Sequence, residues 1–124
     1  MHLETTSFFG RTVSPHNINL SSDGSSGGES VLIALRGSVL GVTSNGGGSI
    51  RGASTFCGIY GFKPSTYTHQ LKGFLGGFAE GGLNIVCSLG PMRTSFRDVD
   101  FFMATIPPAR PYWTFSSFQP TEFP

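Results

Sequence analysis

The residue types able to do covalent chemistry gather in two serine–glycine segments, Gly24-Ser25-Ser26-Gly27-Gly28-Glu29 and Asn45-Gly46-Gly47-Gly48-Ser49-Ile50-Arg51. Glycine-rich turns ahead of a helix serve three purposes. One is to cradle phosphate, but neither segment has the Gly-Lys-Ser/Thr ending of a nucleotide loop or the GxGxxG spacing of a dinucleotide turn. Another is a plain flexible linker. Here the flanks are apolar, and a loose linker threaded through a core would leave backbone groups without partners. The third is an anion hole beside a nucleophile. Without Cβ atoms, Gly46, Gly47 and Gly48 are free to adopt φ > 0 and to let a carbonyl approach main-chain N–H groups that face a developing oxyanion. Ser49 then stands at a helix head, where the dipole favours an alkoxide. Acyl transfer fits that pattern.

For this chemistry the two segments need elements that bring them together. Ser26 and Glu29 have the spacing of a capping box, which opens a helix. Val31, Leu32, Ala34 and Leu35 continue it, apolar on most sides and therefore expected to be buried, with Gly37 placed to stop it. Val39 to Val42 reads as a short buried strand. A second helix is predicted from Ile50 to about Phe56, ended by Gly58, and Ile59-Tyr60-Gly61-Phe62 returns to strand before Pro64. This alternation implies a layered α/β sheet with crossover helices.

The flanking stretches are less regular. Residues 1–23 read as polar and irregular, with a short strand at Arg11-Thr12-Val13 and a turn at Ser14-Pro15-His16-Asn17. Five glycines within residues 73–82 predict a mobile loop, followed by a strand from Leu83 to Leu89. Ser95 and Asp98 open another capping-box helix, in which Phe96, Val99, Phe102, Met103 and Ile106 recur at helical spacing. Pro107 and Pro108 stop it. Residues 107–124 hold five of the eight prolines and read as an irregular tail, so the folded domain is expected over residues 1–106.

Composition narrows the function classes. Eight basic against seven acidic residues give a net charge of +1, which excludes a basic nucleic-acid arm and offers no membrane-surface signal. The 13% aromatic residues oppose disorder despite 18 glycines. Only 12% of residues are charged, against about 25% in typical soluble domains, too few to cover a small free-standing core. The chain therefore reads as the centre of a larger protein, with apolar faces meant to be covered or open to association. Cys57 and Cys87 have no metal-ligand spacing and read as buried thiols, and His2, His16 and His69 share no ligand spacing either. No metal or cofactor is expected. Nothing resembles a secretory signal or a bilayer-spanning segment, so a cytoplasmic setting is expected.

Five ordered blocks resemble the amidase signature hydrolases, and within them the fungal acetamidase-type amidases. They are Phe9-Gly10-Arg11-Thr12-Val13 with Pro15-His16-Asn17, the Gly24–Glu29 segment, Gly47-Gly48-Ser49-Ile50-Arg51, Phe56-Cys57-Gly58-Ile59-Tyr60-Gly61-Phe62-Lys63-Pro64, and Ser88-Leu89-Gly90-Pro91-Met92. The resemblance implies a fragment of a mixed-sheet α/β core sandwiched by helices, acting on a small-molecule amide. It implies a Ser-cisSer-Lys mechanism, with Ser49 as acylated nucleophile, Ser25 as a bridging serine on a cis peptide, and the backbone of Gly46 to Ser49 as oxyanion hole. Ser26 and Arg51 would support the site, Arg51 by anchoring the oxyanion loop. The family's lysine base falls well before the first serine, yet residues 1–24 contain no lysine, and Lys63 and Lys72 are the only two in the chain. Asp23 stands where the family usually has glycine, and Asn45 where it usually has aspartate. The competing expectation is a non-catalytic truncated paralogue or gene fragment acting as an interaction piece.

Overall fold

A computed structural model describes residues 3–66, 68–69 and 87–106. The chain opens with a two-stranded antiparallel ribbon, β1 (Thr5–Ser7) and β2 (Gly10–Thr12), in which Thr5 pairs with Thr12. Gly10 takes φ 104° at the turn, a value that favours glycine, while Phe8 and Phe9 project from the turn into solvent. Sequence reasoning found the second strand and missed the first, because three polar residues carry no hydrophobic alternation to read.

Next come α1 (Gly27–Ala34), β3 (Gly41–Asn45), α2 (Ser49–Cys57), β4 (Tyr60–Gly61), β5 (Ser88–Arg93) and α3 (Phe96–Thr105). The sheet runs β3-β5-β4, with both described pairings antiparallel. β3 and β4 therefore run in the same direction on either side of β5, and α2 carries the crossover between them. The close approach that makes this possible is at Gly90, where a Cβ would collide with the Phe62 carbonyl. Phe62 uses its N–H to bond the carbonyl of Pro91 at 3.0 Å, a group free to accept although proline cannot donate.

Ile33 from α1, Ile50 and Ala53 from α2 and Met92 from β5 form the buried core, with Ile59 packed against it. On α2 the buried positions are Ile50, Ala53, Ser54 and Cys57, one stripe at helical spacing. The side chains at three of these four positions are small, which lets α1 close onto α2 and brings Ser30 Oγ to 3.1 Å from Cys57 Sγ.

Several sequence expectations are corrected here. Neither Ser26 nor Ser95 makes a side-chain cap hydrogen bond, so the two capping boxes do not form, and Asp98 instead pairs with Arg93 at 3.1 Å. The residue that turns α1 off is Arg36, at φ 63°. Its N–H bonds the Ile33 carbonyl while that of Gly37 bonds Leu32, so the left-handed position falls one residue before the glycine. The third strand begins at Gly41, and Val39 and Val42 are exposed rather than buried. α1 is not buried all round, since Leu32 is 45% exposed, and α3 buries only Val99 while Phe101 is 70% exposed. The last strand starts at Ser88; the glycine-rich loop at 73–82, residues 83–86 and the tail at 107–124 lie outside the described residues.

Candidate active site

The first serine segment lies in the loop that leads into α1. Asp23 bends it, with φ 61° in the left-handed region where glycine is at home, which accounts for the glycine expected at that position. The next bond, Gly24–Ser25, is a cis peptide, and Ser25 is exposed. The second segment joins β3 to α2. Gly48 is the N-cap of the helix, and Ser49 is its first residue.

The fold brings the two serines together. Ser25 Oγ and Ser49 Oγ are 2.6 Å apart, and the Ser25 N–H donates to Ser49 Oγ at 2.9 Å. That amide occupies a lone pair on Ser49 Oγ, which leaves its own proton free to point along the short bond to Ser25 Oγ. Ser49 is half-buried, so the oxygen that would lose a proton remains reachable from solvent.

Asn45 fixes the start of α2. Fully buried at the end of β3, it accepts the Ile50 N–H on Oδ1 at 3.0 Å, satisfying one of the free donors of the first turn. Arg51 is exposed and its side chain makes no hydrogen bond or ion pair with the described residues. Between these residues, Gly46, Gly47 and Gly48 do not use φ in the left-handed region; among the described glycines only Gly10 and Gly58 do. The freedom that the triple glycine offers is thus not used in its φ angles. None of the three donates its backbone N–H to a described residue.

The other candidates take structural places. Ser26 caps α1 through its carbonyl, which accepts the Ser30 N–H at 3.0 Å, and takes no part in the serine pair. Lys63 donates to the Pro64 carbonyl at 3.1 Å, and Lys72 is outside the described residues. His16 bonds the Cys57 carbonyl through Nε2 at 2.9 Å, tying the C-terminal end of α2 rather than joining the site. Burial pushes the Cys57 thiol above its usual range, and the nearby Asp23 carboxylate adds to this against the opposing Ser30 hydrogen bond, so the thiol stays protonated and inert. No group of His, Cys, Asp and Glu among the described residues has the arrangement to hold a metal. No helix among them is long and apolar enough to cross a membrane.

Sequence reasoning missed Thr5, whose Oγ1 bonds the Asp23 carbonyl at 2.8 Å, 18 residues away. A lone threonine in a polar stretch gives no signal of such a contact.

With this geometry in place, the chain can be set beside known proteins. The amidase family profile matches residues 1–121. A putative amidase of Schizosaccharomyces pombe is 40% identical over 121 residues, covering 97% of this chain and 22% of that protein. An acetamidase of Aspergillus oryzae is 39% identical over 108 residues, covering 87% of this chain and 19% of its own length. Among solved structures, a fatty acid amide hydrolase matches all of this chain and 22% of its own, with TM-score 0.77 at 34% identity. A bacterial aryl acylamidase of the amidase signature family matches 82% of this chain with TM-score 0.61 at 29% identity. The chain thus spans about a fifth of the length of these relatives.

Proposed function

The chain belongs to the amidase family, and on that premise we propose that it carries the nucleophilic half of a site that hydrolyses carboxylic amides through an acyl-serine. Ser49 Oγ attacks the amide carbonyl carbon, and its proton passes to Ser25 Oγ. Ser25 in turn relays a proton to the leaving nitrogen as the C–N bond breaks, giving an amine or ammonia and an acyl group on Ser49. Water then attacks the acyl carbon along the reverse relay and releases the acid. The N–H groups of the Gly46–Gly48 turn stabilise the oxyanion, where each such donor is worth about 10²–10³ in rate. Relay from a hydroxyl requires a neutral base beyond Ser25; residues 1–24 contain no lysine and Lys63 donates to the Pro64 carbonyl, so this reading assigns the base to the part of an amidase domain that residues 1–124 do not include. The exposed apolar faces of α1 and α3 are, in this reading, where the remainder of an amidase domain packs.

The single observation that supports the reading is the 2.6 Å contact of Ser25 and Ser49, with the Ser25 amide on the same Ser49 oxygen. A serine-directed fluorophosphonate tests it. A longer chain that includes the upstream lysine is expected to label at Ser49 and to lose labelling in Ser49→Ala, while residues 1–124 alone label barely, within the about 10³–10⁴ residual acceleration left when a triad loses a member. Equal labelling of the two lengths overturns the role of the outside base, and labelling that survives Ser49→Ala overturns the nucleophile.

A second reading, a non-catalytic fragment acting through its exposed faces, draws on the lysine-free stretch before Ser25 and on Lys63 being engaged with Pro64. It expects no Ser49 labelling at either length.

A further inference from the structure

We infer that Thr5 is a positioning residue of the serine pair, acting as the clamp that fixes the loop carrying Ser25; the inference rests on the amide-hydrolase reading above. One hydroxyl reaches the loop on both sides of the relay serine. Thr5 Oγ1 donates to the Asp23 carbonyl at 2.8 Å, lies 3.3 Å from the Ser25 carbonyl, and accepts the Gly27 N–H at 3.1 Å. It holds one proton, so the shorter bond takes it and the Ser25 carbonyl sits as the alternative acceptor.

The ribbon lies against the loop with no slack. A Cβ on Gly27 would stand 2.9 Å from Thr5 Cβ, closer than carbon atoms pack, so this glycine is what lets the strand come near enough for the hydroxyl to bridge. The partner strand grips the preceding residue, since Ser22 Oγ donates to the Thr12 carbonyl at 3.3 Å, and Thr12 is the residue paired with Thr5. Ser21 Oγ is bonded to the Leu3 carbonyl at the edge of the same ribbon. The loop is therefore held at residues 21, 22, 23 and 27 by β1, β2 and their flanks. Of these contacts, Thr5 alone straddles Ser25. A misplacement of about 1 Å in a reacting group costs on the order of 10²-fold in rate, so a hydroxyl that sets the position of a relay oxygen governs turnover without touching substrate.

The test reads position without needing activity. Residues 1–124 carrying Ser25→Cys and Ser49→Cys are equilibrated in glutathione buffers, the 25–49 disulfide is mapped by peptide mass, and its effective concentration is measured with Thr5, Thr5→Val and Thr5→Ser. Valine keeps the β-branched shape and removes both the donor and the acceptor; serine keeps both. Thr5→Val is expected to lower the effective concentration at least about tenfold, with Thr5→Ser within about twofold of the parent, at temperatures where all three remain folded by circular dichroism. A drop in melting temperature with an unchanged disulfide equilibrium makes Thr5 merely structural and overturns the proposal. If the double-cysteine chain does not fold, the second measurement is the fluorophosphonate labelling rate of the longer chain. There Thr5→Val should slow Ser49 labelling about tenfold or more and Thr5→Ser should restore it, whereas equal rates overturn the clamp. Absence of labelling in the parent overturns the amide-hydrolase reading and the clamp that rests on it, whereas wherever the double-cysteine chain folds the disulfide equilibrium judges Thr5 independently of labelling.

Discussion

The segment from Asp23 to Gly27 and the segment from Gly46 to Gly48 deliver the two hydroxyls that meet at 2.6 Å, and the bonds that hold them are distributed differently. In the first, the carbonyls of Asp23 and Ser25 and the amide of Gly27 all face one threonine hydroxyl, and Ser21 Oγ accepts the Asp23 N–H at 2.9 Å. In the second, the bonds among the described residues fall at the ends: the pairing of Asn45 with Ser88, Asn45 Oδ1 on the Ile50 amide, and the Gly48 carbonyl accepting the Gly52 N–H at 2.7 Å. The difference fits the roles proposed above: a loop proposed to relay a proton is held by its own internal bonds, whereas a turn proposed to receive an oxyanion takes its rigidity from its two ends.

Where the first segment presses on α2, the helix headed by Ser49, a single glycine decides the fit, and this gives the largest expected effect. Asp23 is 3% exposed and presses its carboxylate onto α2 at Gly52, where a Cβ would overlap Oδ2. In a free helix, alanine for glycine stabilises by about 1 kcal/mol. Here Gly52→Ala is expected to destabilise by about 2–3 kcal/mol in urea unfolding, as an overpacked site does. Asp23→Gly removes the obstructing carboxylate and also relieves the left-handed backbone at residue 23. In that background Gly52→Ala should become neutral or stabilising, a coupling that a double-mutant cycle reads directly. An equal cost in both backgrounds would show that the first loop and α2 are not coupled through this contact.

The open segment should break at its end rather than in its middle. Asn45→Ala leaves the buried Ile50 amide without its acceptor and is expected to cost about 1–3 kcal/mol, with amide exchange at Ile50 rising more than at Ala53 one turn later. Uniform acceleration along α2 would mean that Asn45 matters only to global stability.

How far this contrast was legible in the sequence depended on range. The glycine and serine spacing marked both segments, and the run from Ile50 to Gly58 gave α2 almost to its ends, because those signals are local. The capping boxes were misread for a related reason. Spacing alone cannot tell whether a carboxylate turns back to its helix or is drawn off by a stronger partner, as Asp98 is by Arg93. Thr5, 20 residues before Ser25, and His16, 41 residues before Cys57, act at distances where sequence pattern carries no information. The exposed faces of α1 and α3 were anticipated in sum by the low charge, while the individual helix α1 was taken as buried because periodicity reports apolar residues without reporting what covers them.

The smallest expected effect separates both segments from the far end of the sheet. His69 is buried, its Nε2 has no hydrogen-bond partner among the described residues, and its ring lies 5.7 Å from that of Phe102 on α3. Burial holds its pKa below the ordinary value of 6.5. The unfolded chain therefore binds the proton more readily than the folded one, and the stability this histidine allows is complete above about pH 6.5 and declines as pH falls below that value. The urea midpoint is expected to drop between pH 7 and pH 5, and His69→Leu should flatten that part of the profile, since leucine has nothing to titrate. Over the same range the 25–49 disulfide equilibrium, corrected for thiol ionisation, should hold steady, because no contact of Ser25 or Ser49 passes through α3. If acid loosens the serine pair in step with the midpoint, the clamp on the first loop and the packing of α3 are one cooperative unit, and the contrast between the two segments belongs to the whole fold instead of to their own bonds.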